Sequence, residues 1–259
     1  MHERLSFFVK RDSLIHRLNP LTKVVLAFSL VLIAFISPWY WTPQTLFILG
    51  IIPLSLAGGV AREYWSFFLK VILPTVAFLL GIQALFLPGE SRIIFQIWSL
   101  EVTELSLELA FRNATRITVM ISSFTILLLT THPSQLMSDL TRRGLPGQFA
   151  YVIISSLQII PQMQAKAQTI ISAQRSRGLD TQSSFLRRVG AIVPLVGPLV
   201  FGSLVEVEER AIAIEARGFT STHVKTSLHE IPDTSTEKTV RWILIALVII
   251  ALAARIWLS

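Results

Sequence analysis

The chain of 259 residues is 52% hydrophobic and only 15% charged, with a mean hydropathy of +0.62. Soluble domains are about 45–50% apolar and about 25% charged, so the excess apolar content indicates segments that lie in a membrane. Lys and Arg nevertheless outnumber Asp and Glu by 23 to 16, as is typical of a membrane protein with cationic loops. The absence of cysteine excludes disulfide scaffolds and thiolate metal sites.

Five apolar stretches are candidates for membrane-spanning helices, which need roughly 20 predominantly apolar residues. Tryptophans near the ends of several stretches resemble the aromatic belts of membrane proteins. The second stretch is short, and Pro74 in the third predicts a kink. The sequence therefore predicts an all-α polytopic membrane protein with about five transmembrane helices, at residues 21–41, 45–60, 67–87, 105–131 and 240–258.

The cations in the short loops predict the orientation, because Lys and Arg are enriched in cytoplasmic loops. The segment before the first stretch has five cations, whereas residues 38–44 have no charge. Arg62 and Lys70 mark the next loop as cytoplasmic, and residues 88–104, with one cation and three glutamates, are expected outside. We therefore expect a multi-pass protein of the cell membrane with a cytoplasmic N-terminus.

The basic region after the fourth stretch predicts helices of another kind. Residues 134–143 predict a short helix, and residues 148–177 and 185–217 predict two long amphipathic helices, the second interrupted near its prolines. Because each has a polar face, we expect the two long helices to lie partly in the membrane or to cross beneath it on the cytoplasmic side, rather than to span it. The predicted organisation is a four-helix membrane domain, a cytoplasmic helical region, a polar linker and a last transmembrane helix, at residues 1–131, 132–219, 220–239 and 240–259.

The two long helices end in similar short sequences, Ala-Gln-Arg-Ser-Arg-Gly and Ala-Ile-Glu-Ala-Arg-Gly. A glycine there can adopt the left-handed conformation that closes a helix, and an arginine in the last turn interacts favourably with the helix dipole. That explanation suffices for either end alone. The repetition favours two matching knobs, whose guanidinium groups reach acidic grooves on a dimer of homologous subunits. The candidate docking residues are Ala173, Ser176, Arg177 and Gly178 at the first end, and Ala213, Ala216, Arg217 and Gly218 at the second.

With these motifs in place, the chain resembles the transmembrane T component of energy-coupling factor transporters, the prokaryotic ABC-type importers of vitamins and transition-metal ions. A pair of Ala/Ser-Arg-Gly motifs at the ends of two long coupling helices is the signature of that family. Residues 12–23, 130–133 and 143–146 also resemble it. One departure is visible: the family often has an arginine before the Ile-Pro pair of the first long helix, where this chain has Leu157-Gln158-Ile159-Ile160-Pro161.

The resemblance implies a non-catalytic coupling subunit without catalytic or metal-binding residues. Arg177 and Arg217 would dock on two ABC ATPase subunits, which bind the ATP, so this chain would need no cofactor. The long helices would pass the ATP-driven movement to a separate substrate-binding S component in the lipid bilayer. The sequence also lacks the GxxxxGK[ST] loop that cradles nucleotide phosphates, in agreement with ATP hydrolysis by another chain.

The alternatives have less support in the sequence. A self-sufficient secondary membrane transporter would favour internal repeats and broken helices, and the spans show no repeat. A membrane metalloprotease would need histidines at helical spacing with a carboxylate, and the five histidines offer no such pair. No basic stripe interleaved with aromatic residues indicates nucleic acid as a partner. Arg112 and Arg116 lie within the fourth span, where charged residues often have a function. We favour a structural explanation, in which Glu108 pairs with Arg112 at i and i+4.

Overall fold

A computed structural model of the protein describes residues 11, 13–86, 93–97, 100–178, 185–219, 221 and 233–258. This part of the chain is almost entirely helical, which confirms the predicted all-α fold. The helices are α1 (Leu14–Arg17), α2 (Pro20–Ile36), α3 (Thr42–Ala57), α4 (Ala61–Phe86), α5 (Glu104–Thr130), α6 (Pro133–Arg142), α7 (Gly147–Ser176), α8 (Phe185–Ala216) and α9 (Ser235–Leu258).

A short antiparallel hairpin precedes α5 and was not expected from the sequence. Its strands are β1 (Ile93–Ile97) and β2 (Leu100–Thr103), with Ile97 opposite Leu100. Thr103 also caps α5, because its hydroxyl accepts from the backbone of Ser106 over 3.2 Å. The hairpin therefore leads directly into the start of α5.

Three of the helices, α4, α5 and α9, are long and apolar enough to cross a membrane. The helices α2 and α3 are apolar but shorter. All five overlap the predicted stretches, with ends that differ by up to six residues, and large apolar side chains such as Phe78 and Ile256, each 71% exposed, cover their outer faces. Exposed apolar surface of this extent is unfavourable in water and suits contact with lipid.

Both α3 and α4 contain a wider π-helical turn, at Leu46–Ile51 and Phe68–Ile72. Each turn ends two residues before a proline, Pro53 or Pro74. A proline has no N–H and its ring clashes with the carbonyl four residues earlier, so a wider turn lets the helix continue past it. The helix α8 also continues through Pro194 and Pro198, so the predicted interruption there is wrong.

Hydrogen bonds along α2 define the direction of α5. Near the start of α2, Lys23 Nζ donates to the carbonyl of Thr130 at the end of α5 over 2.9 Å. Near the end of α2, Arg116 Nε donates to the carbonyl of Ala34 over 3.0 Å. The two helices are therefore antiparallel.

The helix α9 runs parallel to α2. Arg241 Nη1 donates to Thr22 Oγ1 near the starts of both helices over 3.1 Å, and Arg255 Nη1 donates to the carbonyl of Phe35 near their ends over 3.4 Å. The starts of α2 and α9 and the end of α5 consequently lie at one end of the bundle. We call this the α2-start end.

The described residues form two compact units, which are best considered separately. One contains α1 to α6 and α9, and the other contains α7 and α8. The helix α6 belongs to the first unit. The chain leaves the first unit after Arg143 and returns to it at residue 231. Most of the predicted linker, residues 220 and 222–232, lies outside the described residues.

Candidate docking site on the two long helices

The helices α7 and α8 run in opposite directions. The ring of Tyr151, near the start of α7, has its centroid 5.1 Å from that of Phe219, just beyond the end of α8. Fifteen residues further along α7, Lys166 Nζ donates to Glu206 Oε2 over 3.3 Å, and Glu206 precedes Phe219 on the chain. The two arginine motifs therefore lie towards opposite ends of this helix pair.

Each motif ends its helix with a left-handed glycine. Gly178 has a φ of +91°, and its N–H donates to the carbonyl of Arg175 over 2.9 Å. Gly218 has a φ of +72°, and its N–H donates to the carbonyl of Glu215 over 2.8 Å. Because residues other than glycine adopt such angles only at a cost of about 1 kcal/mol or more, the expected glycine closure is confirmed at both ends.

The end of α8 has both hydrogen bonds of the Schellman motif. In addition to the bond made by Gly218, the N–H of Phe219 donates to the carbonyl of Ile214 over 3.1 Å. At the end of α7 the second bond would involve a residue outside the described part of the chain. In both helices the arginine occupies the last position before the turn.

All eight candidate docking residues are exposed. The guanidinium groups of Arg177 and Arg217 have no hydrogen-bond or ion-pair partner among the residues that the structure describes. An arginine needs no partner in water, and its planar fork presents five N–H donors. Both side chains are therefore available to a partner, and their docking role remains a prediction.

The two motifs are placed symmetrically about the Lys166–Glu206 ion pair. Arg177 follows Lys166 by eleven residues, and Arg217 follows Glu206 by eleven residues. At 1.5 Å per residue, each arginine lies about 16 Å along its helix from the pair. Because the helices are antiparallel, these distances extend in opposite directions, and the arginines can be separated by up to about 30 Å.

Large apolar side chains are also exposed on these two helices. Phe149 and Val152 on α7 are 62% and 60% exposed, and Phe201 and Leu204 on α8 are 71% and 60% exposed. An isolated apolar residue at a surface is ordinary, but several on neighbouring turns indicate a surface that binds a partner or lipid. The amphipathic pattern of the sequence anticipates these exposed faces.

A polar cluster at the α2-start end was not predicted from the sequence. Asp233 accepts from Arg143 Nη2 over 2.8 Å, and from Arg241 Nη2 at both carboxylate oxygens, over 2.8 and 2.9 Å. Arg143 also donates to Asp139 over 3.0 Å. Partial burial raises the pKa of Asp233, but the hydrogen bonds and charges of Arg241 and Arg143 outweigh it and leave this pKa below its ordinary value.

The same cluster includes the start of α2. Asn19 is fully buried; its Oδ1 accepts from the N–H of Leu21 over 2.9 Å, which caps the helix. Its backbone N–H donates to Glu237 over 3.0 Å, and its Nδ2 donates to Asp139 over 3.2 Å. We call the whole set the junction cluster, because Arg143 and Asp233 flank the two points where the chain passes between the units. Its members are Asn19, Asp139, Arg143, Asp233, Glu237 and Arg241.

The expected pairing of Glu108 with Arg112 within α5 is not formed. The side chains of Glu108 and Arg112 form no ion pair, although both are described, and Arg112 Nε is buried without a partner. The spacing allows such a pair, but an exposed one stabilises a protein little. Arg116 instead reaches the end of α2, where it donates to the carbonyls of Ala34 and Ser37 over 3.0 and 3.5 Å. It thus supplies donors to carbonyls that a helix end leaves unsatisfied.

Among the described residues, no group of three or more His, Asp or Glu side chains is arranged to hold a metal ion. The described geometry is that of a polytopic helical membrane protein with one exposed pair of long helices.

Comparison with known proteins identifies the family. The model of the cobalt transport protein family CbiQ matches residues 11–228. The chain is 31% identical to the energy-coupling factor transporter transmembrane protein EcfT of Leuconostoc gelidum, over 97% of this chain and 96% of that protein. It is 32% identical to EcfT of Bacillus subtilis, over 94% of both chains, and 32% identical to EcfT of Limosilactobacillus fermentum, over 85% of both. The chain therefore belongs to the family of transmembrane T components of energy-coupling factor transporters.

Proposed function

We propose that this chain couples ATP hydrolysis by two ABC ATPase subunits to the movement of a separate substrate-binding S component in the membrane. The transported substrate would be a vitamin or a transition-metal ion. The chain would hold no cofactor of its own, since the ATPase subunits would bind the ATP. One observation carries the proposal: two exposed arginines without described partners end an antiparallel pair of helices in the same way.

The helix ends are suited to docking because the left-handed glycine turns the chain aside immediately after each arginine. The guanidinium group of Arg177 or Arg217 then lies at the tip of its helix, where it can form charge-assisted hydrogen bonds with carboxylates. The two helix ends have the same sequence pattern and lie equally far from the Lys166–Glu206 ion pair. Such a pair of ends fits two copies of one groove on related subunits. Movement of these grooves on ATP binding would shift the tips and the helices that bear them.

The exposed apolar faces of α7 and α8 would transmit this movement to the S component. Side chains such as Phe149 and Phe201 are more than half exposed, so they can pack against a membrane partner without first leaving a core. Burial of apolar area on binding is favourable at about 25 cal/mol per Å². A large contact of this kind can persist while the helices tilt.

Substitution of the two arginines tests the docking role. We expect Arg177→Ala and Arg217→Ala each to weaken copurification of the ATPase subunits, because loss of an anchoring arginine costs about 2 kcal/mol or more, roughly thirtyfold in affinity. The double substitution should abolish both copurification and uptake. Arg62→Ala is the matched control, since Arg62 is exposed and has no described partner.

Normal copurification and uptake by the double variant would contradict the proposal. Uptake by the purified chain alone, without any ATPase subunit, would instead favour the self-sufficient secondary transporter. Mass spectrometry of the purified complex would identify the S component and thereby the class of substrate.

A further inference from the structure

The contact between α7 and α8 contains a small polar group. Glu206 accepts from Lys166 over 3.3 Å and from Arg210, one turn further along α8, over 3.4 Å. Arg210 also donates to Gln162 Oε1 over 3.2 Å. The Lys166 and Glu206 side chains are 32% and 36% exposed, so the pair contributes little to stability. Its directional bonds nevertheless connect defined positions on the two helices.

Gly202 on α8 leaves space for the end of the Lys166 side chain, which extends from α7. A Cβ atom at Gly202 would lie 3.0 Å from Lys166 Nζ and 3.1 Å from its Cε, tighter than most real Cβ contacts, so the end of the lysine side chain would have to move. At Gly197, in the same helix, a Cβ would meet no atom within 4 Å. The ammonium group therefore reaches Glu206 across a position where α8 carries no side chain.

We propose that Lys166, Glu206 and Gly202 fix the axial register of α7 against α8, and so set the separation of the two arginine tips. They are positioning residues for the docking of the ATPase subunits and do not touch those subunits themselves. The role assigned to the separation of the tips, docking of the ATPase subunits, rests on the proposed function. The separation itself is a property of this chain and can be measured without a partner.

The symmetry of the contact supports this role. Each arginine follows its member of the ion pair by eleven residues, so a slip of one helix along the other changes the distance between the tips. A slip of one helical turn would be about 5.4 Å. The surrounding apolar faces could accommodate such a slip, because apolar contacts are not directional. The polar bonds are directional and favour one register.

Distances between spin labels test the register directly. The chain has no cysteine, so Ser172→Cys and Ile212→Cys give two unique labels on exposed positions. Each label follows its member of the ion pair by six residues. Pulsed electron paramagnetic resonance on the purified full chain should show a single narrow distance.

We expect Lys166→Met to shift or broaden the single narrow distance, and Lys166→Arg to retain it, because arginine keeps the charge and the donors. Gly202→Leu should also shift or broaden the distance, whereas Gly197→Leu, at a position where a Cβ meets no atom within 4 Å, should leave it in place. Glu206→Gln removes the same ion pair from the other helix and should act like Lys166→Met.

An unchanged distance distribution in both Lys166→Met and Glu206→Gln would overturn the proposal, whether or not Gly202→Leu changes the distribution. The measurement needs no ATPase subunit. Its failure would therefore leave the docking of Arg177 and Arg217 intact, and a failure of docking would leave the register intact.

Discussion

Several described arginines illustrate how the surroundings of a guanidinium group determine its role. Arg116 donates to backbone carbonyls at the end of α2. Arg241 is 8% exposed and binds the carboxylate of Asp233. Arg177 and Arg217 are exposed and have no partner among the described residues. The first two roles hold helices together, and the third leaves a cation available for binding.

Substitution of Arg116 tests the first role. Arg116→Met should lower the free energy of unfolding by about 2 kcal/mol, because hydrogen bonds to a charged group are lost and carbonyls at the helix end remain unpaired. Arg112→Met, one turn earlier on α5, is the matched control and should cost little, since Arg112 Nε already lacks a partner. Thermal unfolding in detergent measures both. Equal losses would show that the carbonyl contacts are not the cause.

At the scale of elements, the junction cluster holds α6 and the start of α9 against the start of α2. Asn19 contacts both neighbours, through Asp139 of α6 and Glu237 of α9. Asp233 then connects Arg241 with Arg143, at the point where the chain leaves for α7. Both connections to the α7–α8 unit are thus anchored in one set of ion pairs.

This cluster should make the stability of the protein sensitive to acid. The folded-state pKa of Asp233 lies below its ordinary value of 3.8, so its ionisation favours the folded state. The contribution is complete above the ordinary value, begins to fall below it and disappears as the pH passes through the lowered pKa. Arg143 stays charged throughout, because bonds with Asp139 and Asp233 outweigh its partial burial and raise its pKa.

We expect Asp233→Asn to lower the melting temperature near neutral pH, and the difference from the natural chain to shrink as the pH falls below 3.8. Tryptophan fluorescence in detergent can follow the melting. Glu209→Gln is the control, since Glu209 is exposed and has no described partner. A difference for Asp233→Asn that does not depend on pH would mean that the charge of Asp233 does not stabilise the fold.

At the scale of the whole molecule, the directions of the helices permit only two orientations in a membrane. The α2-start end also receives the end of α5 and the start of α9, so residues 132–143 and Asp233 lie at that end. Its described cations include Arg11, Arg17, Lys23, Arg142, Arg143 and Arg241, whereas only Arg112, Arg116 and Arg255 among those of the bundle's long helices lie towards the other end. Cation enrichment in cytoplasmic loops favours the orientation with the N-terminus in the cytoplasm.

Cysteine labelling tests this orientation, and the absence of natural cysteines removes any background. Trp39→Cys and Trp257→Cys, at positions 67% and 87% exposed, should react with a membrane-impermeant maleimide in intact cells. Arg62→Cys should react only after the membrane is permeabilised. The reverse pattern would contradict the predicted orientation.

Much of the fold was predictable because the signals are local. Apolar runs located the five helices, and α7 and α8 end within one residue of the predicted ends. The glycines after Arg177 and Arg217 predicted closure because a left-handed residue is a local requirement. The β1–β2 hairpin and the continuity of α8 were not anticipated, since strand pairing and the tolerance of prolines depend on neighbouring structure.

The sequence by itself determined the class of protein and the positions of its long helices, and it predicted the two docking arginines. Only the tertiary structure decided which polar groups meet: Arg116 with the carbonyl of Ala34, 82 residues away, and Arg143 with Asp233, 90 residues away. It also decided that α7 and α8 are antiparallel, which separates their arginine tips. Hydrophobic periodicity and helix-closing residues depend on near neighbours in the chain, whereas the choice among many possible hydrogen-bond partners depends on how distant helices pack.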